Sequence, residues 1–73
     1  MTTTENIALT VGACYEGSAV PFALVMKYAG VTADDITRAV STGVVRIVRR
    51  VIGPGGQLLQ GRNSLFLVPD WAD

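Results

Sequence analysis

The apolar positions change period several times along the chain. Between residues 7 and 15 the larger side chains Ile7, Leu9, Val11 and Tyr15 alternate with Ala8, Thr10, Gly12 and Cys14, the period of a half-buried strand. A strand is therefore expected there, broken by Glu16-Gly17-Ser18. Pro21 suits a first helical turn, where its missing N–H would have no partner anyway. Phe22, Val25, Met26 and Ala29 follow at i, i+3, i+4 and i+7, and Gly30 supplies a left-handed stop, which predicts a short helix. A second helix opens at once. Thr32 is a good N-cap, Asp35 stands at the acidic position of a capping box, and Asp34 suits the positive end of the helix dipole. Ile36, Ala39 and Val40 line its apolar face until Ser41-Thr42-Gly43 interrupts the pattern. A turn as tight as Gly30-Val31-Thr32 implies two helices that cross at a large angle.

Over residues 44–52, propensity and period disagree. Four valines and two isoleucines favour a strand. Yet Val44, Ile47, Val48 and Val51 recur at helical spacing, with Arg46, Arg49 and Arg50 opposite them. The strand is the preferred reading, and Gly53-Pro54-Gly55-Gly56 ends the element either way. Residues 57–60, a turn at Gly61-Arg62-Asn63 and residues 64–68 then read as a terminal hairpin closed by Pro69. Leu65, Phe66, Leu67 and Val68 are apolar on both faces, so this last strand should be covered on both sides, by its own domain or by another chain. The expected architecture is a single α+β domain over residues 1–73, with an N-terminal strand, a two-helix helix-turn-helix unit and a wing-like C-terminal hairpin.

Composition sharpens this picture. A chain of 73 residues removes only about 60% of its unfolded surface from water, so its core is thin and needs support. The single cysteine, Cys14, excludes an internal disulfide, and without histidine no zinc-type ligand cluster is available. Hydrophobic residues make up 49% and charged residues 16%, below the usual charged share of about 25%. Apolar surface is thus expected to stay uncovered in a lone monomer, with self-association or a protein partner as the remedy. The start, Thr2-Thr3-Thr4-Glu5, has no basic-then-apolar export pattern, and the longest uncharged run is the 11 residues 51–61, interrupted by Pro54 and four glycines. The expected setting is cytoplasmic, without membrane insertion.

Chemistry is sparse. Ser18, Ser41, Ser64 and Cys14 lack a histidine to activate them. Asp34 and Asp35 point about 100° apart if helical and cannot share one substrate, so capping accounts for them. The glycines at 53, 55, 56 and 61 are followed by no Gly-Lys-Ser/Thr, which leaves a phosphate loop without its lysine and hydroxyl. Trp71 is expected to lid the core. No catalytic residue, metal or cofactor is expected, and the chain is read as a non-enzymatic binding module. Six basic and six acidic residues cancel, but from Arg38 to Arg62 there are five arginines and no acid. One part of the molecule can be positive at zero net charge.

The segment Ala29-Gly30-Val31-Thr32-Ala33-Asp34-Asp35-Ile36-Thr37-Arg38-Ala39-Val40 resembles the turn and second helix of helix-turn-helix repressors, especially LacI-type ones. The arginine-bearing residues 44–52, the glycine turn, the strand over 64–68 and Pro69-Asp70-Trp71 resemble the wing of small phage excisionases and related winged-helix proteins. This resemblance implies a regulatory protein whose helix 32–42 enters the major groove of DNA while the hairpin reaches backbone or minor groove. It implies that Thr32, Ala33, Thr37 and Arg38 face the DNA and that Arg46, Arg49, Arg50 and Arg62 contact phosphates. Asp34 and Asp35 depart from it, since they put negative charge where phosphates should meet positive potential. The alternative reading is a structural or interaction subunit: a virion component, virion-associated in place of cytoplasmic, or a small protein inhibitor.

Overall fold

The computed structural model describes residues 2–53 and 55–72, side chains of 62 and 63 excepted. The chain begins with a helix, α1 (Thr3–Cys14), where alternation predicts a strand. The cause lies just ahead of it. Thr2 and Glu5 form a capping box, with the Glu5 N–H donating to Thr2 Oγ1 at 3.1 Å and the Thr2 N–H to Glu5 Oε1 at 3.3 Å. Ile7 and Val11, four residues apart, are fully buried on the resulting face, and Cys14 is half-buried on the same helix. Leu9, which completes the apparent alternation, projects on the far side and is exposed. The pattern contained two periods, and the helical one places more apolar area in the core.

A two-residue strand, β1 (Val20–Pro21), leads directly into α2 (Phe22–Ala29). Phe22 and Val25 are buried, and Met26 and Ala29 pack beside them, as their spacing predicts. Gly30 ends the helix at φ 67°, a left-handed conformation in which a Cβ would be strained, and its N–H donates to Met26 O at 3.0 Å. Asn6 Nδ2 donates to Ala29 O at 2.9 Å, so a side chain of α1 satisfies a carbonyl at the open end of α2. Two residues later α3 (Ala33–Thr42) starts. The expected capping box is present: the Asp35 N–H donates to Thr32 Oγ1 at 3.2 Å and the Thr32 N–H to Asp35 Oδ2 at 3.1 Å. Ile36 and Ala39 bury the apolar stripe, and Gly43 closes the helix at φ 85°.

The strand reading prevails in the disputed stretch, over the shorter range β2 (Val45–Arg49). Its partner is β3 (Leu65–Pro69), in antiparallel register from Val45↔Pro69 to Arg49↔Leu65. β3 also pairs with β1 (Val20↔Leu67, Pro21↔Phe66), which gives a three-stranded antiparallel sheet of order β1-β3-β2. The expected pairing of residues 57–60 with 64–68 is therefore corrected. Gly61–Ser64 is a 3-10 turn, and residues 51–53 pair with 57–59, with the Leu59 N–H donating to Val51 O, the Gly53 N–H to Gln57 O, and Ile52 bridged to Leu58. β3 prefers β2 because that ladder sets Val45 beside Pro69 over the helices, whereas Leu58 has no core to enter.

Val20, Val45 and Leu67 point from the sheet into the core formed with Ile7, Val11, Phe22, Val25, Ile36 and Ala39. The central position of β3 explains its two apolar faces. Leu67 meets the helices, while Phe66 on the other face lies beneath the Arg50 guanidinium, 5.4 Å from the ring centroid. Trp71 is no lid. Its ring meets Tyr15 edge-on at 5.5 Å and passes over Gly12, but 65% of the residue is exposed. Among the described residues no helix is long and apolar enough to cross a membrane.

Candidate nucleic-acid interface

The core stripe of α3 fixes what its other side presents. With Ile36 and Ala39 buried, Asp34, Thr37, Arg38 and Ser41 fall at i, i+3, i+4 and i+7 along the exposed side. Thr32 is exposed at the N-cap, where its hydroxyl accepts the Asp35 N–H. Ala33 is half-buried against the core and offers only part of its methyl. Sequence reasoning placed Thr37 and Arg38 here, with Asp34 as an opposing charge at the helix start, and passed over Ser41, although the same spacing identifies it.

The hydroxyls of this face are turned toward the helix itself. Thr37 Oγ1 donates to Ala33 O at 3.0 Å, Ser41 Oγ to Thr37 O at 3.2 Å, and Thr42 Oγ1 to Ala39 O at 2.7 Å. Their hydrogens are engaged, so the oxygens face outward as acceptors. Arg38 is the strong donor of the face. The Asp35 carboxyl is held below the usual carboxylate range, chiefly by the hydrogen bond from the Thr32 N–H, then by the Thr32 hydroxyl, with the Arg38 charge adding a smaller effect.

The strand arginines do not share one surface. Val45 points into the core, so alternation sends Arg49 to the helix side of the sheet, and Arg46, Val48 and Arg50 to the opposite side. Arg46 Nη2 donates to Ala72 O, which ties β2 to the C-terminal turn. Arg50 rests on Phe66. Of the expected phosphate contacts, Arg49 alone among these three shares the helix side, while the Arg62 side chain lies outside the described residues. Arg49 and Arg50 both stand at the base of the excursion 51–59, where Val51, Ile52 and Leu58 are exposed. That apolar tip was not read from the sequence, since its glycines suggested only a flexible turn.

No three of Asp, Glu and Cys come together to hold a metal ion among the described residues. Comparisons with family models, with curated proteins and with solved structures returned no match.

Proposed function

We propose that this chain is a non-enzymatic DNA-binding module of the winged helix-turn-helix kind, a small regulatory protein. The observation that carries this reading is the order α1-β1-α2-α3-β2-β3 with the last strand between the other two. Winged-helix domains use that order, with a helix-turn-helix ahead of the β2–β3 excursion. In this reading α3 lies in the major groove, presenting Thr37, Arg38 and Ser41 to base edges, and Thr32 at its N-terminus lies close to the backbone. Arg38 is suited to guanine, and the outward acceptors of the face suit cytosine or adenine amino groups. Asp34 weakens binding to any DNA through phosphate repulsion and favours sites where it meets a base amino donor.

Arg49, Arg50 and Arg62 are the proposed phosphate contacts, while Arg46 serves the fold through Ala72. A gel shift of random and genomic duplexes in low salt tests the reading. Retardation that weakens with salt is expected, and no retardation at any protein concentration refutes it.

A second reading is favoured by the exposed Leu9, Tyr28 and Trp71, and by the zero net charge. It makes the chain an interaction or structural subunit, of a virion or as a small inhibitor, associating through α1, α2 and the C-terminal turn. Sedimentation at rising concentration tests it, with a persistent monomer counting against self-association.

A further inference from the structure

The sheet has one open edge. On one side of β3, β1 has only two residues and ends in Pro21, which has no N–H to offer a neighbour. On the other side, β2 runs for five residues without a proline or glycine. The direction of its backbone groups follows from one bond: the Arg50 N–H donates to Ser64 O at 2.8 Å, which points the amide of Arg50 at the β3 side. Alternation in an antiparallel ladder then turns the backbone groups of Val48 and Arg46 toward β3, and those of Ile47 and Arg49 away from it. The same phase sets Pro69 opposite Val45 at a pair that exchanges no hydrogen bonds, so its missing N–H costs the ladder nothing. Ile47 is 39% exposed and Arg49 is exposed, and among the described residues no hydrogen bond reaches either from the open side. Val45 is buried, so the accessible edge begins at Ile47.

These groups select the occupant. Outward N–H and C=O groups in strand spacing are matched by another extended backbone, the mode of strand addition. The side chains beside the edge set its chemistry. Arg46, Val48 and Arg50 lie on one face of the sheet, Ile47 and Arg49 on the other, and no acid occurs from Ile36 to Pro69. Arg46 is bonded to Ala72 O and Arg50 rests on the Phe66 ring, contacts that leave most of the five donors of each guanidinium uncommitted. A second copy is disfavoured as the added strand. Pairing β2 with itself would gather the three arginines of each copy without an acid between them, and like charges across a ladder destabilise it. An acidic strand reverses that sign.

We propose that the open edge of β2 binds an extended acidic segment of a partner protein, which joins the sheet as an added antiparallel strand. Hydrogen bonds to the Ile47 and Arg49 backbones hold it, its carboxylates meet Arg46, Arg49 and Arg50, and its apolar side chains lie beside Ile47 and Val48. Running antiparallel from Arg50 to Arg46, such a strand carries the order acid, acid, apolar, apolar, acid. The inference is independent of the DNA-binding reading, because it uses the sheet edge and its test contains no nucleic acid.

The test titrates the isotope-labelled full chain with the end-blocked peptide Ser-Glu-Glu-Val-Val-Glu-Ser in low salt, followed by amide NMR and hydrogen exchange. The Ile47 and Arg49 amides should shift and become protected, while those of Val48 and Arg50, already turned to β3, keep their exchange rates. The same peptide with lysine for each glutamate should bind at least about tenfold more weakly, and Arg49→Glu should weaken the acidic peptide by about fivefold. N-methylation of the second valine removes the N–H that faces Ile47 O and should abolish the protection. Ile47→Pro deletes only an outward N–H, so it should keep the β3 ladder and lose the peptide. No amide shift with the peptide at about 1 mM overturns the proposal. So do shifts confined to residues outside β2, and binding indifferent to N-methylation. Protection of Ile47 and Arg49 that grows with protein concentration in the absence of peptide overturns it in favour of a second copy.

Discussion

The helical body and the tip of the β2–β3 excursion use the same kind of residue to opposite ends. In the body, Ile7, Val11, Val25 and Ile36 are completely buried and hold three helices on one face of the sheet. At the tip, Val51, Ile52 and Leu58 meet no core and stay in solvent, while the shape of the segment comes from backbone hydrogen bonds and the Gln57 side chain. Hydrophobicity in this chain therefore has two functions, and only geometry separates them. Apolar residues that recur at a period consistent with their element support the fold. Those grouped beside a glycine turn and two arginines are available to a partner.

The largest test of that contrast lies in the body. Ile36→Ala opens a cavity beneath α3 and should cost about 2–5 kcal/mol, read by chemical denaturation. A loss under about 1 kcal/mol would mean that the core is not where the structure puts it. Gly30→Ala forces a Cβ into the left-handed turn at φ 67° and should cost about 1–2 kcal/mol by the same measurement.

Asp35 gives a pH signature specific to α3. Its carboxyl is depressed in the folded state by the Thr32 N–H, the Thr32 hydroxyl and Arg38. The stability it contributes is therefore present above its ordinary unfolded value and is lost as the pH falls through the lower, folded one. Melting followed from neutral to acid pH should show the wild type approaching Asp35→Asn at the acid end and exceeding it near neutrality. Two curves running parallel throughout would exclude the capping carboxylate. The smallest effect belongs to the tip. Ile52→Ser/Leu58→Ser should change unfolding free energy by no more than about 0.5 kcal/mol, because the replaced side chains are already in water. A large loss would show that they take part in a core.

The α+β class was legible in the sequence, as were α2, α3 and both of their glycine or threonine boundaries, because each depends on residues within one or two turns. Thr32 with Asp35, and Gly30 after Ala29, are local chemistry that tertiary structure had no reason to override. The first element was misread because Ile7, Leu9 and Val11 satisfy a strand period while Ile7 and Val11 also satisfy a helical one. Thr2 and Glu5, three residues apart, carried the deciding signal, the same capping chemistry as at Thr32 and Asp35. The partner of β3 was beyond local inspection, since it joins Leu65–Pro69 to Val45–Arg49 across fifteen intervening residues. The candidate site was half legible. Thr37 and Arg38 follow from helix spacing, but the division of Arg46 and Arg50 from Arg49 depends on strand phase, and the helical spacing of Val44, Ile47, Val48 and Val51 competed with the preferred strand reading of residues 44–52.

The most direct test of the proposed function is the salt dependence of binding to a fluorescently labelled duplex, compared between the wild type, Arg38→Gln/Arg49→Gln and Arg46→Gln. The account predicts a log–log slope between about −2 and −3 for the wild type, a slope shallower by about 1 for the double variant, and a smaller change for Arg46→Gln, which ties β2 to Ala72. Binding that ignores salt, or that weakens as much on loss of Arg46 as on loss of Arg38 and Arg49, would contradict it.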